Sequence, residues 1–339
     1  MEDIINRRER SLSIKQVNRF IMLTALLISS FSTLAIFTNQ VAYAVTVPPP
    51  PAPTTSRYMS TVDPNTLYNE GCSQGSANES GVIVLDFGQP WYQNGIYGTI
   101  IFKSLAFVGI DQITTASESF LQGYWDCVPG GSASFITLAI GLNNYKGYTT
   151  TSTHAYSHGQ AWGMMVNNVN DWIATQGFDS YEIAAGADDM EMMYNSAPHT
   201  RAWADGYASV SQYTYYDYGD AAGCPPYGSC NNGWTQADVT YVSWDLDPAF
   251  PLPEIYTTNE SQAREWYQMS LYSYNNPGPN GHMIISGSFT QYGACQITQG
   301  CGSENNTPSQ GWTQLWKRLN ADSRTAQSLD YSSDITWAN

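Results

Sequence analysis

Along this chain, apolar residues gather in short bursts bounded by Gly, Pro or Asn, and longer stretches between them carry apolar residues at helical spacing. The bursts predict strands at Val82–Asp86, Leu105–Asp111, Phe135–Ile140, Tyr181–Ala187, Tyr213–Tyr216, Val239–Trp244, Glu254–Tyr256 and Met283–Phe289. Helices are predicted over His158–Thr175, with Trp162, Met165, Val166, Val169, Trp172 and Ile173 on one stripe, and over Glu260–Tyr274, with Ala263, Trp266, Tyr267 and Leu271. A third is predicted over Pro308–Leu319, with Thr307 as N-cap, Pro308 at the first helical position, and Trp312, Leu315, Trp316 and Leu319 facing inward. Strands alternating with helices imply a parallel sheet. Eight strands in one domain imply an α/β fold, a (β/α)₈ barrel of the TIM type, irregular after the fifth and sixth strands. An open doubly wound sheet is the alternative, but no G-x-G-x-x-G or G-K-[ST] loop follows any strand.

The two ends of the chain read differently. Arg7, Arg8, Arg10, Lys15 and Arg19 precede an apolar run, Phe20 to Phe37, which closes on Ala42-Tyr43-Ala44. This pattern predicts a secretory signal peptide over residues 1–44; an uncleaved anchor is the alternative, since the run is just long enough to span a bilayer. Residues 45–57, "VTVPPPPAPTTSR", are expected to form a stiff proline-rich spacer. Residues 58–339 contain no further low-complexity break and no obvious internal repeat, and they are expected to form a single domain. The protein is therefore expected to be secreted or cell-surface, with no stable membrane insertion after cleavage.

Charge narrows the partners. The chain is at −16, and loss of the first 44 residues, with five basic and three acidic side chains, takes it to −18. Nucleic acid and anionic lipid are poor partners for such a surface. Twenty-four Tyr and 11 Trp, many in polar, glycine-rich segments, suit a neutral ligand held by stacking, and a polysaccharide or other glycan fits. Six cysteines in an exported chain imply disulfides. Cys224 and Cys230 bracket one short loop and Cys295 and Cys301 another, so local pairing of each leaves Cys72 with Cys127. No C-x-x-C or H-E-x-x-H occurs, so neither zinc nor any other cofactor is signalled.

In a barrel of this kind, functional groups gather at the C-terminal ends of the strands. Polar residues recur there. Asp86 closes the first predicted strand, Asp111 the second, Asn143 and Asn144 follow the third, and Asp217 follows the fifth. Trp244-Asp245 end the sixth, Tyr256 the seventh, and the eighth runs into Gln291-Tyr292. Trp91, in "QPWYQNG", and Trp244 are the candidate stacking residues at the mouth. The fourth strand ends in "GADDMEMM", three carboxylates within four positions. With Ile183, Ala185 and Ala187 pointing into the barrel, alternation puts Asp189 and Glu191 on the same inward side and Asp188 on the other, while Gly186 and Ala187 leave room for a ligand. Two close carboxylates in a partly dry pocket split their proton affinities, as glycosidic cleavage requires: one acid for the leaving oxygen, one anion for the oxocarbenium-like transition state. A calcium site or a helix-capping cluster would also use close carboxylates.

An Asp at the end of the first strand, a D-x-E at the fourth and a Q-Y at the eighth resemble the lysozyme-like glycoside hydrolases of family 25 and related glycoside-hydrolase-like barrels. Here these are Asp86, the pair Asp189 and Glu191, and Gln291-Tyr292. The resemblance implies that Glu191 is the acid, Asp189 its stabilising partner, and Asp86 an orienting or binding group. Most of the mature chain is also similar to secreted bacterial proteins with no assigned activity that carry "GA-x-D-x-E" mid-chain and "TQ" before a Cys near the end. The opening "LDFGQP" departs from the Asp-Val-Ser-like turn usual in family 25, and the loops after strands five and six are longer and cysteine-bearing.

Three functions fit: a secreted glycoside hydrolase acting on cell wall or another polysaccharide, a non-catalytic barrel that binds glycans or a surface partner, or another secreted hydrolase. The last lacks a G-x-S-x-G elbow, and Ser157-His158 are sequence neighbours, a poor arrangement for nucleophile and base.

Overall fold

The computed structural model describes residues 46–298 and 300–338. The expected signal peptide lies outside them. The main sheet has eight parallel strands in the order β10-β11-β1-β2-β6-β7-β8-β9. These are β1 (Thr54–Tyr58), β2 (Gly81–Asp86), β6 (Ile136–Asn143), β7 (Glu182–Asp189), β8 (Tyr215–Asp217), β9 (Ala249–Pro251), β10 (Gly287–Thr290) and β11 (Tyr331–Trp337). Beyond β9, Glu254 pairs in parallel with Phe289 of β10 and brings the two edges together, so the sheet is a nearly closed (β/α)₈ barrel. A small antiparallel sheet of β3 (Gln89–Gln93), β4 (Ile96–Ile100) and β5 (Phe107–Gly109) is inserted after β2.

The helices are α1 (Pro64–Ser76), α2 (Ile110–Cys127), α3 (Ser152–Gln176), α4 (Ala197–Ala208), the short α5 (Gln236–Thr240), α6 (Ser261–Asn275), α7 (Tyr292–Thr298) and α8 (Pro308–Asn320). Among the described residues, no helix is long and apolar enough to cross a membrane. Two apolar layers follow from strand alternation. On β2, Ile83 and Leu85 face the helices, while Val82 and Val84 face inward with Ala139, Ala185, Ala187, Phe289 and Ile335. Disulfides join Cys72 to Cys127, Cys224 to Cys230 and Cys295 to Cys301. The first ties α1 to α2 where both are thinned: a Cβ on Gly71 would lie 1.9 Å from the Phe120 carbonyl oxygen, and one on Gly123 2.0 Å from that of Tyr68.

Five expected strands coincide with barrel strands, and three do not. The Leu105–Asp111 run is split: Phe107–Gly109 joins the small sheet, and a helix starts at Ile110, where the Gln112 side chain reaches back to accept the Gly109 N–H at 3.0 Å. Val239–Trp244 is helical, continuing from α5 into a π turn over Tyr241–Asp245; Thr235 and Asp238 form the capping box that starts it. Glu254–Tyr256 contributes a single bridge at Glu254. The barrel instead uses β1, β9 and β11. Strand β1 lies at the end of the stretch expected to be spacer, and its inward positions are small hydroxyl residues that a hydrophobic pattern does not flag. Ser56 Oγ meets Ser333 Oγ at 2.7 Å and accepts the Val84 N–H at 2.7 Å, so neighbouring strands satisfy it. Helix α8 begins as expected, with Thr307 Oγ accepting the Gln310 N–H and Pro308 in the first turn.

Candidate active site

The inward alternation of the strands continues past their ends as the lining of an open cavity of about 610 Å³. On β2, Val82 and Val84 lead to Asp86; on β6, Ala139 leads to Asn143; on β7, Ala185 and Ala187 lead to Asp189. After β8, Tyr216 and Tyr218 lead to Asp220, and after β9, Leu252 leads to Glu254. Strands β1, β10 and β11 supply Tyr58, Gln291 and Trp337 in the same way. Sheet geometry thus turns eight separate strand ends into one site.

The cavity has two unlike halves. Carboxylates line the β7 to β10 side: Asp189, Glu191, Asp220, Glu254, Glu265 of α6, and Glu304 of the segment between Cys301 and α8. Aromatic rings line the β11 and β1 side. Tyr58 and Trp337 have ring centroids 4.8 Å apart, and Phe102 meets them edge-on at 5.2 and 5.7 Å. Among the described residues no Lys, Arg or His lines the cavity.

Three of the acids converge. One carboxylate oxygen from each of Asp189, Glu191 and Glu254 lies within 4.8 Å of the others, a spacing that a divalent cation or a shared proton could bridge. The backbone around them is held from several sides. The Asn144 side chain accepts the Glu191 N–H and donates to the Glu191 carbonyl, both at 3.1 Å, and also donates to Thr200 Oγ1. Asp217, buried behind the site, accepts the N–H groups of Gly219 and Met190. Gly219 packs so closely on Met190 that a Cβ there would lie 2.5 Å from its nitrogen. Gln262 of α6 accepts the Tyr256 and Thr257 N–H groups at 2.6 and 2.9 Å and donates to Glu254.

Burial without compensating cations sets the protonation. Burial raises Asp86 to about 7, opposed by the Gly88 N–H that Oδ1 accepts at 2.8 Å and by the nearby Tyr218 hydroxyl; that hydroxyl donates to the Leu142 carbonyl at 2.9 Å, which leaves Oδ2 without a partner. Burial and the charge of Asp220 raise Glu191 to about 7, opposed by a hydrogen bond with Tyr194. Asp189 rises well above its ordinary value, first through burial and then through repulsion from Glu191 and Glu254. Glu254 rises well above its ordinary value too, first through burial and then through repulsion from Asp220, Glu191 and Glu304. Protons are therefore shared among these acids near neutrality, with one acid able to donate while a neighbour is ionised.

Of the residues singled out in the sequence, Asp86, Asn143, Asp189, Glu191, Tyr256 and Gln291 line the cavity together. The others do not. Trp91 sits on β3 in the small sheet, and Trp244 is buried in the π turn, its indole N–H donating to the Gly281 carbonyl at 3.1 Å, so neither meets the cavity. Asp111 is exposed in the first turn of α2, because the strand expected to carry it is a helix. Asp217 faces the helices and acts through the backbone it holds. Asp245 lies beside Gly278, filling the space that a side chain there would need. Tyr292 starts α7, its N–H donating to Asp334 at 2.8 Å. Gly186 leaves room for the Tyr207 ring rather than for a ligand, since an outward Cβ would lie 2.6 Å from that ring. The sequence pattern does not single out Glu254, Asp220, Tyr58 or Tyr194 as site residues; extending the alternation Tyr216, Tyr218 by one step reaches Asp220, whereas Tyr58 directly follows the proline-rich stretch and carries no such signal.

No protein-family model matches the chain, membership of family 25 included, and no curated protein matches it. Among solved structures it is similar to a crystal structure of a GH18 chitinase from Pseudoalteromonas aurantia, at 12% identity and a TM-score of 0.45, over 84% of this chain and 94% of that one.

Proposed function

We propose that the protein is an exported glycoside hydrolase acting on a cell-wall or other polysaccharide, with Glu191 as general acid and Asp189 as its stabilising partner. The observation that carries this reading is the convergence of Asp189, Glu191 and Glu254 at the C-terminal mouth of the barrel, in an open cavity with an aromatic wall. When the protons shared by these coupled acids rest on Glu191 and Glu254, Glu191 donates to the glycosidic oxygen as the C–O bond breaks, and Asp189, ionised in that arrangement, stabilises the positive charge that develops on the sugar. Water then completes the hydrolysis and returns a proton to Glu191. Three disulfides are consistent with an extracellular site of action.

The test is a panel of peptidoglycan, chitin, chitosan and plant or fungal polysaccharides incubated with the mature protein. Reducing ends should appear with one class, and Glu191→Gln should lower the rate by about 10²–10⁴ with the fold intact. Binding without released reducing ends on every substrate, with Glu191→Gln indistinguishable from wild type, would hand the protein to the non-catalytic glycan-binding reading.

A further inference from the structure

Hydrolysis at a glycosidic bond uses two carboxyl groups. This cavity holds seven. Beyond Asp189 and Glu191 stand Asp86 and Glu254 at the floor, and Asp220, Glu265 and Glu304 toward the rim, delivered by three separate elements: the segment after β8, helix α6 and the segment between Cys301 and α8. The protein supplies almost nothing to neutralise them. Among the described residues no basic side chain lines the cavity, and Arg264, exposed on α6, is a minor influence on Glu265. Asp220 and Glu265 each accept one backbone N–H, from Ala222 at 3.0 Å and Gly223 at 3.5 Å. Asp86 is fully buried, yet its Oδ2 has no hydrogen-bond partner, and Asp189 Oδ1 has none either. Buried acceptors without donors are costly to keep, so a ligand that donates to them is the physical counterpart they lack.

The opposite wall says what else that ligand carries. Tyr58, Phe102 and Trp337 form a continuous aromatic surface facing the acids. A bare metal ion would use the carboxylates and leave this wall idle. A hexose with an amino group uses both, its C–H face stacking on the rings while the ammonium group donates to the carboxylates.

We propose that this site takes a glycan built of amino sugars with free, positively charged amino groups, the rim acids Asp220, Glu265 and Glu304 selecting it over neutral and N-acetylated chains. The proposal rests on the glycosidase reading for the bond that is cleaved, but its own content is the charge of the ligand. Electrostatic selection of this kind is screened by salt, since the Debye length falls from about 10 Å at 0.1 M to about 3 Å at 1 M.

Calorimetric titration of the mature protein at 50 mM salt with glucosamine hexamer, N-acetylglucosamine hexamer, cellohexaose and calcium chloride separates the outcomes. The glucosamine hexamer should bind at least about tenfold more tightly than either uncharged hexamer, a difference of about 1.4 kcal/mol. The preference should shrink at 1 M salt, and the triple variant Asp220→Asn, Glu265→Gln, Glu304→Gln should abolish it while the uncharged hexamers bind as before. Glu304 is exposed, so Glu304→Gln alone should weaken the preference without risk to folding. Equal or tighter binding of an uncharged hexamer would overturn the proposal and leave the glycosidase reading standing. Calcium binding that Asp189→Asn removes, with no binding of glucosamine hexamer, would overturn it in favour of a metal site. Tight glucosamine hexamer binding with no bond cleaved would uphold it and refute the glycosidase reading instead.

Discussion

Asp86→Asn should make this protein more stable above neutral pH and less able to act on its ligand. Asp86 is fully buried; Oδ1 accepts the Gly88 N–H at 2.8 Å and Oδ2 accepts nothing. Burial raises its pKa from 3.8 to about 7. In the unfolded chain the group ionises near 4, so folding at pH 8 carries the penalty of a buried charge, whereas at pH 4 the folded protein simply keeps the proton. A raised folded-state value means that stability is fully present below about pH 4 and is lost as pH rises through about 7. Three decades of proton affinity at about 1.4 kcal/mol each set the loss at about 4 kcal/mol. The amide keeps the acceptor for Gly88 and cannot ionise. Urea unfolding of wild type and Asp86→Asn, from pH 4 to pH 8, should therefore give stabilities within about 1 kcal/mol of each other at pH 4 and a gain of about 2–4 kcal/mol for the variant at pH 8. A difference that stays constant across the range, or a variant that is weaker at pH 8, would refute the view that Asp86 is an unpaired buried carboxylate kept for its ligand. The accompanying loss of glycan binding or turnover is the trade-off expected where a charged group is retained against stability.

Asn144→Ala leaves the buried N–H and C=O of Glu191 without the side chain that holds both, which should lower stability by about 2–4 kcal/mol and turnover by about 10²-fold, with a larger effect on kcat than on KM; circular dichroism, melting and initial rates check it. Replacing Cys72 and Cys127 together by Ala opens a link spanning 55 residues and should cost about 2–4 kcal/mol in denaturant unfolding, with turnover at 25 °C unchanged, because the α1–α2 crossing it secures lies away from the cavity.

How much of this was legible in the chain depended on whether the signal was local. The α8 start at Thr307-Pro308, the stripe of α3 and the apolar cores of β2, β6 and β7 follow from capping chemistry and from periods of 3.6 and 2.0, which neighbouring residues alone determine. The alternation through Ala185, Ala187 and Asp189 likewise put a carboxylate at the barrel mouth before any fold was known. What the tertiary structure decided was which segments close the barrel and which acids face one another. β1 and β11 carry Ser56 and Ser333 inward, and such residues become strand residues only because each finds its partner 277 positions away. Val239–Trp244 has the composition of a strand, yet the cap between Thr235 and Asp238 starts a helix that carries Trp244 away from the mouth. Glu254 joins Asp189 and Glu191 only through its bridge to Phe289, a contact that exists once the two sheet edges meet. Local periodicity therefore determined the elements and one pair of carboxylates; long-range pairing determined the third acid and the aromatic wall opposite.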